Sequence, residues 1–294
     1  MREIVSGEVE CVWALGAELG ESPLWAPSEN ALYFLDIEAP AIHRFSASGE
    51  RSTWPMPGKV AALALRRGGG LIGAFPDGVF ALDLDLDDPR TLLVDPEPDR
   101  SHNRLNDGRC DAAGRFWVGS MDDDEKRATG ALHRIDGDRK VQLMDDGYIA
   151  SNGPAFSPDG RTLYVSDTFE HLIYAFDVDA NGDVANRRVF ARFADADGRP
   201  DGLTVDADGG VWAAGWDGGA LTRFSPNGKR ETIVQLPAAR VTACAFGGRD
   251  LDCLYITTAR TGLSAADLAA QPLAGGLFAV DVGMRGLAPY EYGG

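Results

Sequence analysis

Ser151-Asn152-Gly153-Pro154-Ala155-Phe156-Ser157-Pro158-Asp159-Gly160-Arg161-Thr162-Leu163-Tyr164-Val165-Ser166-Asp167-Thr168 reads as strand, tight turn, strand. Pro154-Ala-Phe-Ser is a short extended run. Pro158-Asp-Gly presets φ at one turn position and supplies φ > 0 at another, and Thr162-Leu-Tyr-Val resumes the strand. Similar text returns at Asp111-Ala-Ala-Gly114-Arg-Phe-Trp117-Val118 and at Asp206-Ala-Asp-Gly209-Gly-Val-Trp212-Ala213. A repeat of this kind decides the fold class before any single element does.

Working outward, the large apolar residue after each turn is Tyr33, Ile72, Trp117, Tyr164, Trp212 and Tyr255, a period of about 44 residues repeated six times. A second echo follows each landmark, for example Ala41-Ile-His-Arg-Phe45, Ala131-Leu-His-Arg-Ile135 and Ala220-Leu-Thr-Arg-Phe224. A short run before each turn and another after the second echo complete four strands per unit, joined by Gly, Asp, Asn and Pro turns. Such units specify an all-β, six-bladed propeller of four antiparallel strands per blade, one domain over residues 1–294. The last unit lacks its fourth strand, and Val9-Glu-Cys-Val-Trp-Ala14 is expected to supply it and close the ring. Ser264-Ala-Ala-Asp-Leu-Ala-Ala-Gln271 is expected to form a turn or two of helix.

The formal charge of −17 argues against nucleic acid and anionic membranes as partners. A hydrophobic fraction of 44% is enough for a sizeable core. The residues from Met1 to Glu8 lack the basic start and apolar run of a signal peptide, and no apolar run reaches the roughly 18 residues a membrane helix needs. Cys11, Cys110, Cys244 and Cys253 form no CxxC pair, so they read as small core residues of a cytoplasmic protein.

The departures from the repeat carry the chemistry. Glu21 lies 12 residues before Tyr33, Asn106 11 before Trp117, Asn152 12 before Tyr164 and Asp201 11 before Trp212. Val60-Ala61 and Ala243-Cys244 occupy the corresponding places in the other two units. First strands line the central channel of a propeller, so these four polar residues are expected to converge on one mouth. Converging carboxylates resist desolvation unless a cation sits among them. Oxygen ligands without histidine suit Ca²⁺, Mg²⁺ or Mn²⁺. Asn152-Gly153 and Asp107-Gly108 are each ordinary turn dipeptides, and only their in-phase recurrence argues otherwise. His102, in a loop, and His133, placed on an exposed third strand, take no metal role; Gly215-Trp216-Asp217 reads as core or site wall.

Gly20-Glu21-Ser-Pro-Leu-Trp25, Arg104-Leu-Asn106-Asp-Gly108, Ser151-Asn152-Gly-Pro154 and Pro200-Asp201-Gly202 resemble the signatures of the regucalcin/gluconolactonase family. Thr257-Thr-Ala-Arg-Thr-Gly-Leu-Ser264 and Pro272-Leu-Ala-Gly-Gly-Leu-Phe278 look most like its bacterial pentonolactonase and gluconolactonase branch. The resemblance implies hydrolysis of sugar-acid lactones to aldonic acids. It also implies one divalent metal (Ca, Zn, Mn or Fe(II)) bound by Glu21, Asn152 and Asp201, with substrate contacts from Arg104 and Asn106. A further acidic contact is expected after Val118-Gly-Ser-Met121, where Asp122, Asp123 and Asp124 all stand and Asp124 is favoured. Ser120 replaces the family's usual Thr. Asp201 is expected to be the general base, and a monomer or weak homo-oligomer is expected. The rival readings are a related metal-propeller esterase or phosphotriesterase and a non-enzymatic Ca²⁺-binding protein.

Overall fold

The computed structural model describes residues 8–294; residues 1–7, most of the stretch bearing on a signal peptide, lie outside the described residues. Twenty-four strands form six four-stranded antiparallel sheets, one for each sequence repeat. In blade 1 the strands run in chain order outward from the axis: Gly20–Ala26, Ala31–Asp36, Ala41–Ser46, Arg51–Pro55. Blades 2 to 5 begin with Ala62–Leu65, Asn103–Cys110, Ser151–Phe156 and Arg199–Val205, and blade 6 with Arg240–Gly247. Each innermost strand lies beside the next, and the sixth returns to the first.

The ring closes as expected. Glu10–Trp13 pairs with Leu277–Asp281, Glu10 opposite Ala279 and Trp13 opposite Leu277, so residues from the two ends of the chain share blade 6. This covers an edge whose unpaired N–H and C=O groups would otherwise invite another chain. The one α-helix among the described residues, Ala265–Ala270, falls where it was expected, with the Ser264 hydroxyl accepting from Asp267 N at its start.

A blade has two faces to bury, and the apolar residues divide accordingly into six clusters, one at each interface between neighbouring blades. Trp117 and Phe176 fill the interface of blades 3 and 4, Trp212 and Phe278 that of 5 and 6, and Trp25 stacks on Tyr255 at 5.8 Å between 6 and 1. The Asp that opens two of the echoes has a structural task. Asp111 Oδ1 accepts from Ala113 N and Arg115 N, while Oδ2 accepts the Trp117 indole N–H at 2.7 Å. Asp206 does the same for Asp208 N, Gly210 N and Trp212. One carboxylate thus fixes the turn and the polar edge of the core tryptophan. Gly160 takes the expected positive φ, +68°. All four cysteines are free thiols, Cys110 and Cys244 within the apolar clusters. Among the described residues no helix is long and apolar enough to cross a membrane.

The innermost strands carry a feature that spacing alone did not reveal. In every blade but the second the pairing with the second strand breaks in a β-bulge, between Glu21 and Leu24, Leu105 and Gly108, Asn152 and Ala155, Pro200 and Leu203, and Val241 and Ala243. Bulges re-aim side chains and gather beside active sites. Distances of 12 and 11 residues mean the same place because the turn between the first two strands differs in length by one residue. The cross-strand partners of Tyr33, Trp117, Tyr164 and Trp212 are Leu24, Arg109, Ala155 and Thr204. Glu21, Asn106, Asn152 and Asp201 each stand three residues before that partner. The same station holds Ala61 in blade 2 but Thr242 in blade 6, rather than Ala243 or Cys244. Thr242 is spent on structure: its hydroxyl lies 2.5 Å from Gly20 O and 2.9 Å from Thr257 Oγ1.

Candidate active site

Glu21, Asn106, Asn152 and Asp201 line one cavity of about 550 Å³ at a mouth of the channel, together with Arg104. Gly153, inside the blade 4 bulge, has φ +51°, and a Cβ there would run into the backbone of Leu203. Only glycine lets blades 4 and 5 approach this closely behind Asn152 and Asp201.

The amides and the arginine form a relay. Arg104 Nη1 donates to Asn106 Oδ1 at 2.8 Å, Asn106 Nδ2 donates to Asn152 Oδ1 at 2.7 Å, and Asn152 Nδ2 donates to Thr168 Oγ1 at 2.8 Å. The relay fixes which end of the Asn152 amide presents oxygen, and that oxygen keeps a second lone pair for a ligand. Arg104 is itself held by Asp123, 3.1 Å from its Nε.

The carboxylates are treated differently. Glu21 and Asp201 are 7% and 5% exposed, and neither has an ion-pair partner among the described residues. Glu21 Oε2 accepts only its neighbour's amide, Ser22 N, at 2.9 Å. Burial pushes the Glu21 carboxyl well above the usual carboxylate range, and the charges of Asp201 and Asp107 push it further. Burial does the same to Asp201, with Asp107 adding to it. Two buried, mutually repelling carboxylates beside an oriented amide oxygen make a donor set of hard oxygens short of one cation. A divalent ion fits it; a site built of neutral or paired groups would not ask for one.

Asp107 was read as a turn residue and is a third, half-buried acid of the ring. It faces a separate void on the other side of the ring. Its Oδ2 accepts Gly153 N at 2.8 Å, and burial raises its carboxyl despite the nearby Arg109. Arg109 in turn donates to Leu203 O and Thr204 Oγ1. These groups are partnered, so the open carboxylate pair marks the cavity at the other mouth as the site.

The three acids after Met121 separate. Asp122 is buried against Arg127 and the amides of Lys126 and Arg127. Asp123 holds Arg104. Asp124 is 67% exposed at its side chain and 3.8 Å from Arg127. Glu125, one residue further, lines the cavity. His133 is buried, not exposed as the repeat suggested, because its Nε2 lies 2.9 Å from Glu97 Oε1 in a polar cluster with Ser120. Trp216 lines the cavity, as a site wall should.

Residues 19–260 match the family model described as SMP-30/Gluconolactonase/LRE-like region. The chain is 39% identical to a 6-deoxy-6-sulfogluconolactonase of Pseudomonas putida over 97% of this chain and 99% of that one. It is 35% identical to human regucalcin over 98% of this chain and 99% of that one. Its fold is similar to the crystal structure of a calcium-binding protein, regucalcin, from Agrobacterium tumefaciens, with a TM-score of 0.92, 27% identity and 99% of each chain covered. With its four motifs in order on six blades and its open carboxylate pair at their mouth, the chain belongs to the SMP-30/gluconolactonase/LRE-like family.

Proposed function

We propose that this protein hydrolyses sugar-acid lactones, pentonolactones or gluconolactone among them, to the aldonic acids, with one divalent cation held by Glu21, Asn152 and Asp201. The observation that carries the proposal is the unpaired carboxylate pair set against an oriented amide oxygen in one cavity at the mouth of the channel. The names of the sulfogluconolactonase and the calcium-binding regucalcin relatives point the same way for substrate class and cation. When bound, such an ion supplies Lewis acidity at the lactone carbonyl and makes water a better proton donor.

The chain's own residues do the rest. Asp201 accepts the proton of the attacking water as general base. Arg104, locked by Asp123, turns its fork onto ring hydroxyls and the developing carboxylate. Asn106 keeps Asn152 in register and offers its amide to the substrate. Asp124 supplies the acidic contact: Arg127 has Asp122 as its main partner, which leaves Asp124 free to swing to a sugar hydroxyl.

Proton release in weak buffer tests this on five- and six-carbon aldonolactones, before and after chelation and after re-adding Ca²⁺, Mn²⁺, Zn²⁺ or Fe²⁺. Acceleration that a chelator abolishes and one ion restores is expected. No acceleration over the spontaneous rate with any ion refutes it, and faster turnover of a phosphotriester or simple ester would move the protein to that class.

A further inference from the structure

A second cation faces the same cavity, and lactone opening gives it nothing to do. Arg199 lies two residues before Asp201 on the innermost strand of blade 5, and both line the cavity. Its head group reaches outward to the rim. One Nη is 3.4 Å from Asp217 Oδ2, and the guanidinium carbon lies 5.2 Å from the centre of the Phe169 ring. Asp217 is already engaged, because its other oxygen accepts Arg240 Nε at 2.8 Å. Two guanidinium groups therefore share one carboxylate at the rim of blades 5 and 6, and the other acid that feels Arg199 is Asp201 on the cavity floor. Trp216, directly across the strand pair from Arg199, also lines the cavity, and its indole N–H is buried without a partner. Arg104 differs on each count: Asp123 and Asn106 hold two of its nitrogens.

Guanidinium and indole N–H groups only donate. A sugar hydroxyl asks for an acceptor as well as a donor, whereas phosphate and sulfonate ask only for donors, and the planar fork matches two of their oxygens. Phe169 steadies the plane of the guanidinium. Resting on the lactonase reading, we propose that Arg199 and the Trp216 N–H form a subsite for a tetrahedral oxyanion on the terminal carbon of the substrate. Phosphorylated or sulfonated aldonolactones are then preferred to neutral ones. The oxyanion sits at the rim, while the lactone carbonyl lies at the floor beside Glu21 and Asp201.

The test compares wild type, Arg199→Gln and Asp217→Asn on gluconolactone, 6-phosphogluconolactone generated in place, and 6-deoxy-6-sulfogluconolactone. The readout is the ratio of kcat/KM for each anionic lactone to that for gluconolactone, at low ionic strength with the restoring ion present. Calorimetric binding of 6-phosphogluconate against gluconate gives a second readout independent of turnover. Arg199→Gln is expected to lower the ratio about 10–100-fold, the worth of a charge-assisted hydrogen bond. Asp217→Asn, which removes the competing carboxylate, is expected to raise it, and added salt to lower it. The opposite signs keep the test decisive should one variant fail to fold. A response to the phosphate or to the sulfonate alone supports the subsite and names the anion. Gluconolactone hydrolysis with a ratio that Arg199→Gln leaves unmoved overturns the subsite and spares the lactonase reading. Wild type that opens no lactone with any ion removes both.

Discussion

Adding a divalent ion to chelated protein should raise its melting temperature, and removing one carboxylate of the site should reverse the order of stabilities between the two conditions. Glu21 and Asp201 are buried, repel each other and Asp107, and form no ion pair among the described residues, so Arg104 and Arg199 only partly offset their charge. An ion that binds only the native state stabilises it by RT ln(1 + [L]/Kd), about 2.7 kcal/mol at a hundredfold excess over Kd. Unfolding entropy of about 2.1 cal/mol/K per residue gives a chain of 294 residues roughly 0.6 kcal/mol/K. The melting temperature should therefore rise by about 4 °C. In chelator at pH 8, Glu21→Gln and Asp201→Asn each remove a member of the repelling pair, so both variants should melt above wild type. With the ion present they have lost a ligand and wild type has gained one, so wild type should melt highest. Scanning fluorimetry over Ca²⁺, Mg²⁺, Mn²⁺, Zn²⁺ and Fe²⁺ reads both arms. A wild-type melting temperature that no ion moves, or variants that melt below wild type even in chelator, would refute the reasoning.

Three further outcomes follow from other parts of the molecule. Arg104→Lys should lower kcat/KM about 10–100-fold, because an ammonium lacks the fork that spans Asp123 and Asn106; a loss under twofold would show that the relay to Asn152 is not needed. Asp167, buried with one carboxylate oxygen unpartnered, has its carboxyl pushed up to about 6 by burial. Its native pKa exceeds the unfolded one, so stability is full below the unfolded value and is lost as pH rises through about 6. Asp167→Asn should thus melt with wild type near pH 4 and gain on it by at most about 3 kcal/mol by pH 7.5; a gap that does not change with pH would refute this. Trp117→Ala opens the interface of blades 3 and 4 and should cost about 3–5 kcal/mol in denaturant unfolding, and a loss below 1 kcal/mol would mean that the interface repacks around the void.

The fold was legible because a blade cannot bury its own two faces, so each unit must write the same apolar text, and the Asp111 and Asp206 turns repeat with the tryptophans they hold. The mouth was legible because Glu21, Asn152 and Asp201 interrupt that text on innermost strands, where a polar side chain has no core to join. Counting residues could not go further, since the varying length of the turn between the first two strands changes what a count means. It makes distances of 11 and 12 equivalent, and it puts Thr242 at the blade 6 station where the count gave Ala243 and Cys244. Asp107 was hidden by a β-bulge: Asp-Gly spells a turn in an unbroken hairpin, but within the blade 3 bulge it turns a carboxylate into the ring and onto Gly153 N. His133 was misplaced because its partner, Glu97, comes from a loop that the repeat does not describe. Three adjacent aspartates are likewise indistinguishable in sequence, and they separate only when Arg104 and Arg127 arrive from opposite sides. The chemistry of this site is therefore written twice. The repeat says which side chains are out of place, and the bulges, which no repeat encodes, say where those side chains point.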